Sequence, residues 1–234
     1  MEQKNRYLFR GRISGRIFRD LLRLFCADLT ADAASGLVGI NRKTALAIFG
    51  LLRARMAELA QQGCPFRGEI EVDESFFGAT RVRGKPGRGA GRKTPVFGML
   101  ERGGRVHVQI VKNCSKPTLQ AILKGHAHPS SHIHSDGFRG YDGLVEAGFA
   151  RHHRINHGSG EFANATTHIN GIESFWSYAK RRLAKFNGLR PDSFAAFIKE
   201  TEFRFNSRQG GTRSLYKTML KTCREKTLRQ PQLD

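Results

Sequence analysis

The stretch GEIEVDESFFG, residues 68–78, decides the fold that we predict for this chain. Glycines bracket it, and two aliphatic residues alternate with Glu69, Glu71 and Asp73. This two-residue period predicts a β-strand with its three carboxylates on one face. Carboxylates among apolar residues are costly to bury unless a cation or hydrogen bonds compensate them. The stretch therefore indicates either a metal site or an edge strand with a solvated acidic face.

The charge of the chain points to a polyanionic partner. Its 234 residues include 40 Lys and Arg against 20 Asp and Glu, a formal charge of +20. Such an excess favours nucleic acid as the partner, with an anionic membrane surface as the alternative. No apolar run approaches the roughly 18 residues of a membrane span, and the first residues lack the apolar core of a signal peptide. We therefore expect a cytoplasmic protein that does not associate with membranes.

Three helices are predicted before the acidic strand. Apolar residues at helical spacing begin at Phe18, a second helix begins at Thr30, and Asn41 is a suitable N-cap for a third helix over residues 42–59. The tight turn between the last two helices predicts a helix-turn-helix, although a plain three-helix domain with solvated charges is the alternative. The residues that would open a recognition helix and contact DNA are Arg42, Lys43 and Thr44.

A basic loop follows the acidic strand. Residues 80–95 are rich in glycine and proline, which predicts an irregular connection between two strands. A loop so near the carboxylates is well placed to hold DNA phosphates. Its basic residues are Arg81, Arg83, Lys85, Arg88, Arg92 and Lys93.

A second acidic residue ends a later strand. Residues 96–100 and 105–111 predict a hairpin, and residues 131–135 predict a strand that runs into Asp136 and a glycine. Open sheets bind their ligands at such carboxyl ends of strands. Asp142 falls in a helix predicted over residues 141–147, where we expect it to face solvent.

A third acidic residue lies on the helix predicted over residues 168–183. Glu173 and Lys180 are seven positions apart, so they fall within about 20° of one another around the helix. Asn170 lies one turn before Glu173 on nearly the same side. The basic residues near the end of this helix that we predict to contact DNA are Arg181, Arg182 and Lys185. A helix over residues 192–205 and a basic tail with a short helix over residues 215–220 complete the prediction.

Asp73, Asp136 and Glu173 together supply the oxygen ligands that Mg²⁺ prefers. They are 63 and then 37 residues apart, so only the fold can bring them together. Two Mg²⁺ ions roughly 4 Å apart promote an in-line phosphoryl transfer by activating one oxygen and stabilising the other.

Four segments carry a resemblance to a known family. EVDESFFG, HSDGFRGY, HINGIESFWSYAKRRL and FIKETEFRFNSR follow one another between residues 68 and 208. They resemble the DDE-type transposases of bacterial insertion sequences related to eukaryotic Merlin elements. Many members of that group begin with a zinc ribbon built on CxxC pairs, and this sequence contains no such pair.

The resemblance implies a ribonuclease-H-like fold and a set of site residues. Asp73, Asp136 and Glu173 match the DDE positions, and Lys180 matches a lysine that follows them. In part of the group the third position is Asn, which makes Asn170 the alternative third ligand. We favour Glu173, because a carboxylate binds Mg²⁺ better than an amide does.

The fold class that we expect is α/β, a ribonuclease-H-like mixed sheet flanked by helices. The expected domains are a helix-turn-helix-like domain over residues 1–66, the catalytic domain over residues 67–210 and a basic tail over residues 211–234. The expected activity is that of a transposase, which binds terminal inverted repeats, cleaves the ends and joins their 3′-hydroxyls to target DNA. Two Mg²⁺ ions, replaceable by Mn²⁺, would serve a dimer bound to double-stranded DNA at the bacterial nucleoid.

Two other functions fit parts of the sequence. A DNA-binding repressor with an inactive catalytic fold would bind DNA and leave it intact. A histidine-metal nuclease would use some of the nine histidines, such as the pairs at residues 126 and 128, 132 and 134, and 152 and 153.

Overall fold

The computed structural model describes residues 5–61, 63, 65–78, 93–155, 169–186 and 188–229. The chain divides into two compact units, one formed by residues 1–61 together with residues 206–234 and the other by residues 62–205. None of the helices in the described ranges is both long enough and apolar enough to span a membrane.

The described elements alternate between helices and strands only in the second unit. In chain order they are α1 (Gly15–Cys26), α2 (Ala31–Val38), α3 (Arg42–Gln61), β1 (Glu69–Phe77), β2 (Thr94–Glu101), β3 (Val106–Ile110), α4 (Lys116–His126), β4 (His132–Asp136), β5 (Arg151–Ile155), α5 (Asn170–Ala184), α6 (Pro191–Asn206) and α7 (Gly211–Glu225).

The helices of the first unit have side-chain caps, at Thr30 and Asn41 as expected and also at Ser14, where α1 begins three residues before the apolar pattern that starts at Phe18. The Ser14 hydroxyl accepts a hydrogen bond from the Ile17 N–H at 3.3 Å, and the Thr30 hydroxyl accepts one from the Ala33 N–H at 3.2 Å. Gly39 ends α2 in the left-handed conformation, with φ of 71°, which favours glycine at this turn. The three helices expected before the acidic strand are therefore present.

Helix α7 belongs to the first unit and is longer than the short helix that the sequence predicts over residues 215–220. Helix α7 buries Leu215, Met219 and Cys223, and it packs against α1. The Arg55 guanidinium donates to the Thr222 carbonyl at 2.9 Å, which ties α3 to α7. These three residues are spaced at i, i+4 and i+8 in the sequence, which is helical spacing. The basic residues around them favoured a tail beyond residue 220.

The second unit contains a five-stranded mixed sheet in the order β3-β2-β1-β4-β5. Strands β1, β2 and β3 pair antiparallel, while β4 pairs parallel to both β1 and β5. On one face of the sheet, helix α4 packs against apolar residues of β1 and β2. Helices α5 and α6 cover the other face. The expected mixed sheet flanked by helices is confirmed.

One predicted helix of this unit is absent. Residues 139–141 form a short 3₁₀ turn, and residues 142–148 form turns where the sequence predicts a helix over residues 141–147. Gly143 and Gly148 adopt φ values of 74° and 104°, which a right-handed helix does not accommodate. Their left-handed conformations account for the difference.

Candidate active site

The register of the sheet places Asp73 beside Asp136. Strands β1 and β4 run parallel with Glu71 opposite His134, and each aspartate lies two residues further along its strand. Continued along the two parallel strands, this register brings the two aspartates to the same level on the same side of the sheet. Their shared side of the sheet is the side covered by α5.

Gly98 permits α5 to approach this face closely. It pairs with Asp73 across the antiparallel strands, so both point to the same side. A Cβ atom at position 98 would lie 2.5 Å from the Trp176 ring and 3.0 Å from Ile172. Any larger residue would push α5 away from the aspartates.

Glu71 fixes the first turn of α5. Its carboxylate accepts hydrogen bonds from the Ile172 N–H at 2.9 Å and from the Arg102 guanidinium at 3.0 Å, and its side chain is buried. A carboxylate at a helix N-terminus also satisfies a free N–H group and interacts favourably with the helix dipole. Glu71 is thus a positioning residue for the turn that carries Asn170 and Glu173.

Burial and neighbouring charges, including those of the other two predicted carboxylates, act on Asp73. Burial raises the pKa of Asp73 to about 7, and the neighbouring Glu74 charge adds to this effect, while the Glu74 N–H opposes it by donating to Asp73 at 2.8 Å. The charges of Asp136 and Glu173 raise the pKa of Asp73 further. The fold therefore brings the carboxylates of two strands and one helix into a single electrostatic group.

Two further residues of this region escaped the sequence analysis. The Tyr141 hydroxyl donates to the buried Glu74 carboxylate at 2.8 Å on the opposite face of β1. Burial and the charge of Glu74 raise the pKa of Tyr141 well above its usual value. The strand period signals Glu74, because it places this acid among apolar residues, but no local pattern pairs it with Tyr141.

The second aspartate is oriented by its own turn. The Phe138 N–H donates to the Asp136 carboxylate at 3.0 Å, an arrangement typical of Asp at the start of a turn. This hydrogen bond directs the side chain at the point where β4 leaves the sheet.

Asn170 and Glu173 are both exposed on the first turn of α5, so both are accessible as a third ligand. Lys180 is exposed two turns later on the same helix. The placement of these side chains leaves the choice between Asn170 and Glu173 open.

The donor chemistry at the strand ends fits Mg²⁺. Within the described ranges, no three His, Cys, Asp or Glu side chains are grouped closely enough to hold a metal ion by themselves. Mg²⁺ does not require such a cage, since it binds through one or two carboxylates together with waters and substrate phosphates. A nearby cation would also relieve the unfavourable ionisation of half-buried Asp73.

The histidines form protein contacts instead. Glu69 contacts both His132, at 2.7 Å, and His134, and the His134 ring stacks on His153 with centroids 4.9 Å apart. Burial lowers the pKa of His134, although the hydrogen bond with Glu69 opposes that shift. The described residues therefore give no support to a histidine-metal centre.

One predicted DNA contact is a structural residue. Arg182 is buried, and its guanidinium contacts the Glu200 carboxylate at 2.6 Å and the Thr201 hydroxyl at 2.7 Å. These contacts join α5 to α6, so the interpretation of Arg182 as a DNA contact is wrong. Arg181 and Lys185 are exposed and stay predictions.

The basic loop falls mostly outside the described residues. Lys93 is half-buried just before β2. The predicted phosphate contacts that lie outside the described ranges are Arg81, Arg83, Lys85, Arg88 and Arg92.

The predicted DNA contacts of the first unit lie on the first turn of α3. The Asn41 side chain caps this turn by accepting from the Lys43 N–H at 2.8 Å. The Arg42 guanidinium contacts Asp32 of α2 at 2.9 Å, and both side chains are exposed. Lys43 and Thr44 line a groove of the same unit.

Comparisons with known proteins converge on mobile DNA elements. Residues 65–206 match the family of ISXO2-like transposase domains. An uncharacterized transposase-like protein of Haemophilus influenzae is 43% identical over 103 residues, which cover 44% of this chain and 82% of that protein. An uncharacterized protein in transposable element ISH50 of Halobacterium salinarum is 30% identical over 171 residues, which cover 67% of this chain and 58% of that protein.

Solved structures are less similar. The catalytic core domain of BIV integrase is 16% identical with a TM-score of 0.41, and the match covers 66% of this chain and 96% of that domain.

Proposed function

This chain belongs to the family of ISXO2-like transposase domains, and on that basis we propose that it cleaves the ends of its own insertion sequence and joins them to target DNA. The proposal assigns the chemistry to the sheet edge at Asp73 and Asp136 and to the first turn of α5. The observation that carries it is the position of Asp73 and Asp136 on adjacent parallel strands, with Glu173 on the first turn of α5 that Glu71 holds in place, and the raised pKa of Asp73 agrees with it. Perturbed carboxylates gathered from distant segments are typical of catalytic sites.

In this proposal Asp73, Asp136 and Glu173 hold two Mg²⁺ ions, and Mn²⁺ substitutes because it accepts the same oxygen ligands. When bound, the ions would activate the attacking oxygen and stabilise the leaving oxygen of the phosphodiester. Glu71 holds the first turn of α5 in place through the Ile172 N–H. The relationship to Merlin elements stays a prediction.

The first unit supplies DNA recognition. We assign the terminal inverted repeats to the turn between α2 and α3, with Lys43 and Thr44 at the start of the recognition helix. Contacts to phosphates position such a helix, and contacts to base edges give it sequence specificity. The assembly would act as a dimer on double-stranded DNA in the bacterial cytoplasm, bringing two element ends together.

Cleavage in Mg²⁺ tests the proposal against that of an inactive repressor. The wild-type protein should nick a labelled duplex that carries the ends of its own insertion sequence. Chelation of Mg²⁺ by EDTA should prevent this nicking. Specific binding with intact strands in Mg²⁺ would instead identify a repressor.

We expect Lys43→Ala in the full chain to weaken binding to duplex DNA and to lessen its salt dependence. Each lost phosphate contact should reduce the slope of log K against log salt concentration by about 1. Lys221→Ala is the matched control, since Lys221 is an exposed lysine of α7 in the same unit. An unchanged slope for Lys43→Ala would remove this residue from the DNA interface.

We expect Lys180→Met to slow cleavage by about 100-fold while leaving DNA binding and folding intact. The lysine shares the side of α5 that carries Glu173, so its charge can stabilise a phosphate at the metal site, and methionine keeps the apolar stem. Single-turnover cleavage rates provide the measurement, with Lys124→Met, an exposed lysine at the end of α4, as the control. Cleavage at the wild-type rate would place Lys180 on a solvated face with no part in the reaction.

A further inference from the structure

Phe9 is an exposed aromatic side chain with two arginines close to its ring. Its side chain is 51% exposed, although the neighbouring Leu8 is buried. The Arg10 guanidinium lies 5.2 Å from the centre of its ring and the Arg229 guanidinium 4.6 Å from it. An aromatic ring flanked by guanidinium groups presents flat, cationic surface to a ligand.

The backbone around Phe9 is anchored on both sides. Its N–H donates to the Leu228 carbonyl at 2.9 Å, and the Leu228 N–H donates to the Tyr7 carbonyl at 2.9 Å. Arg10 adopts a left-handed conformation with φ of 52°, which is uncommon for a residue other than glycine. Leu228 and the segment before α1 therefore hold Phe9 in place at the surface.

Phe9 lines a groove of about 1080 Å³ within the first unit. Arg10, Arg12, Lys43 and Arg229 give this groove four cationic side chains, and the described residues that line it include no acidic one. Lys43 and Thr44 connect the groove to the first turn of α3, where the proposed function places DNA recognition. Its charge thus matches an anionic ligand, and its aromatic ring matches one with a flat apolar face.

We propose that Phe9, Arg10 and Arg229 form a stacking site for an unpaired DNA base next to the duplex bound by α3. This inference rests on the DNA recognition assigned to the first unit in the proposed function. Bases stack on exposed aromatic rings whatever their sequence, and arginines beside the ring contribute contacts to the base and to phosphates. A paired base is covered by its neighbours in the duplex, so the site selects a base at a frayed end or in an overhang.

Residues near the C-terminus contribute to the stacking site. Leu228 pairs with the segment that carries Phe9, and Arg229 completes the cationic surface around the ring. The alternative occupant is a second copy of the chain. Measurements of DNA binding and of self-association separate it from DNA.

The test uses the full-length protein with two DNA probes of the same duplex sequence. One probe is blunt, and the other carries a short single-stranded overhang with 2-aminopurine as its first unpaired base. We expect Phe9→Ala to weaken binding of the overhang probe by about 5- to 150-fold, the measured range for one stacked base. Binding of the blunt probe should change by less than about twofold, because the duplex contacts of α3 stay intact.

Two further variants make the test specific to stacking. Phe9→Trp keeps a flat ring and should preserve both the affinity and the quenching of 2-aminopurine fluorescence, whereas Phe9→Ala should abolish the quenching. Val145→Ala is the control, because Val145 is an exposed apolar residue that belongs to the second unit and does not line the groove. This control should bind both probes as the wild type does.

Three results would overturn the inference. Equal affinities of Phe9→Ala and the wild type for the overhang probe would show that no base stacks on Phe9, and normal blunt-end binding would leave the proposed DNA recognition intact. A Phe9→Ala protein that loses self-association in sedimentation but keeps overhang binding would identify a second copy as the occupant. Failure of the wild type to bind either probe would overturn both the stacking site and the DNA recognition on which it rests.

Discussion

Replacing Asp73 by Asn is expected to stabilise the metal-free protein at pH 8, by at most about 4 kcal/mol. Burial and the nearby charges raise the pKa of Asp73 from 3.8 to about 7 in the folded state. The unfolded chain therefore releases its proton at lower pH than the folded chain does, and stability falls as pH rises from about 4 to about 7. Asn carries no charge and avoids this loss, so the difference between the two proteins should be near zero below pH 4.

Denaturant unfolding in EDTA measures this difference. Trp176 is the chain's one tryptophan, and it lies on the face of α5 that is buried against the sheet, so its fluorescence reports on the unit that contains Asp73. Glu69→Gln is the matched control on the same strand. Although burial acts to raise the pKa of Glu69, hydrogen bonds with His134 and His132 lower it overall, so this variant should not gain stability at pH 8.

The stability of Asp73→Asn at pH 8 and its response to Mg²⁺ can each contradict this prediction. If Asp73→Asn is no more stable than the wild type at pH 8, then neither burial nor the neighbouring charges raise the pKa of Asp73 in the metal-free site. Added Mg²⁺ should stabilise the wild type more than Asp73→Asn, because an ion that binds only the folded state raises its stability by mass action.

Changing any of the three carboxylates to its amide should slow DNA cleavage by at least about 1000-fold, a loss of about 4 kcal/mol in transition-state stabilisation. Each variant, Asp73→Asn, Asp136→Asn or Glu173→Gln, should still bind element ends, because the first unit carries that recognition. Cleavage rates at saturating protein separate the two properties. Glu69→Gln, which keeps a side chain of the same shape on the same strand, should cleave within about tenfold of the wild type.

Asn170→Ala decides which residue supplies the third ligand. We expect it to cleave at close to the wild-type rate, since Glu173 offers the better ligand for Mg²⁺. Normal cleavage by Glu173→Gln together with an inactive Asn170→Ala would assign the third position to Asn170.

Much of the second unit was predictable because its strands carry strong local signals. The alternation around Asp73 and the short segment over residues 131–135 before Asp136 predict both strands, and the stripe around Trp176 predicts α5. The placement of Asp73 level with Asp136 follows from strand register, which requires the partner strand and so cannot be obtained from local periodicity.

The contacts that escaped prediction involve residues far apart in the chain. Glu71 meets the backbone of residue 172, Arg182 meets Glu200, and α7 packs on α1. In the first two cases the local sequence shows a charged residue that is typical of a solvated surface, and burial follows only once the partner is in place. Predictions that treat every arginine of a basic protein as a DNA contact fail for this reason.

The location of bound Mn²⁺ in crystals, found from its anomalous scattering, tests the central claim most directly. We expect two anomalous peaks roughly 3.5–4 Å apart between the carboxylates of Asp73 and Asp136, with Glu173 of α5 as the third protein ligand. Both peaks should disappear in Asp73→Asn. Peaks at the Glu69, His132 and His134 cluster, with none at the two aspartates, would contradict the account and would favour a histidine-metal enzyme.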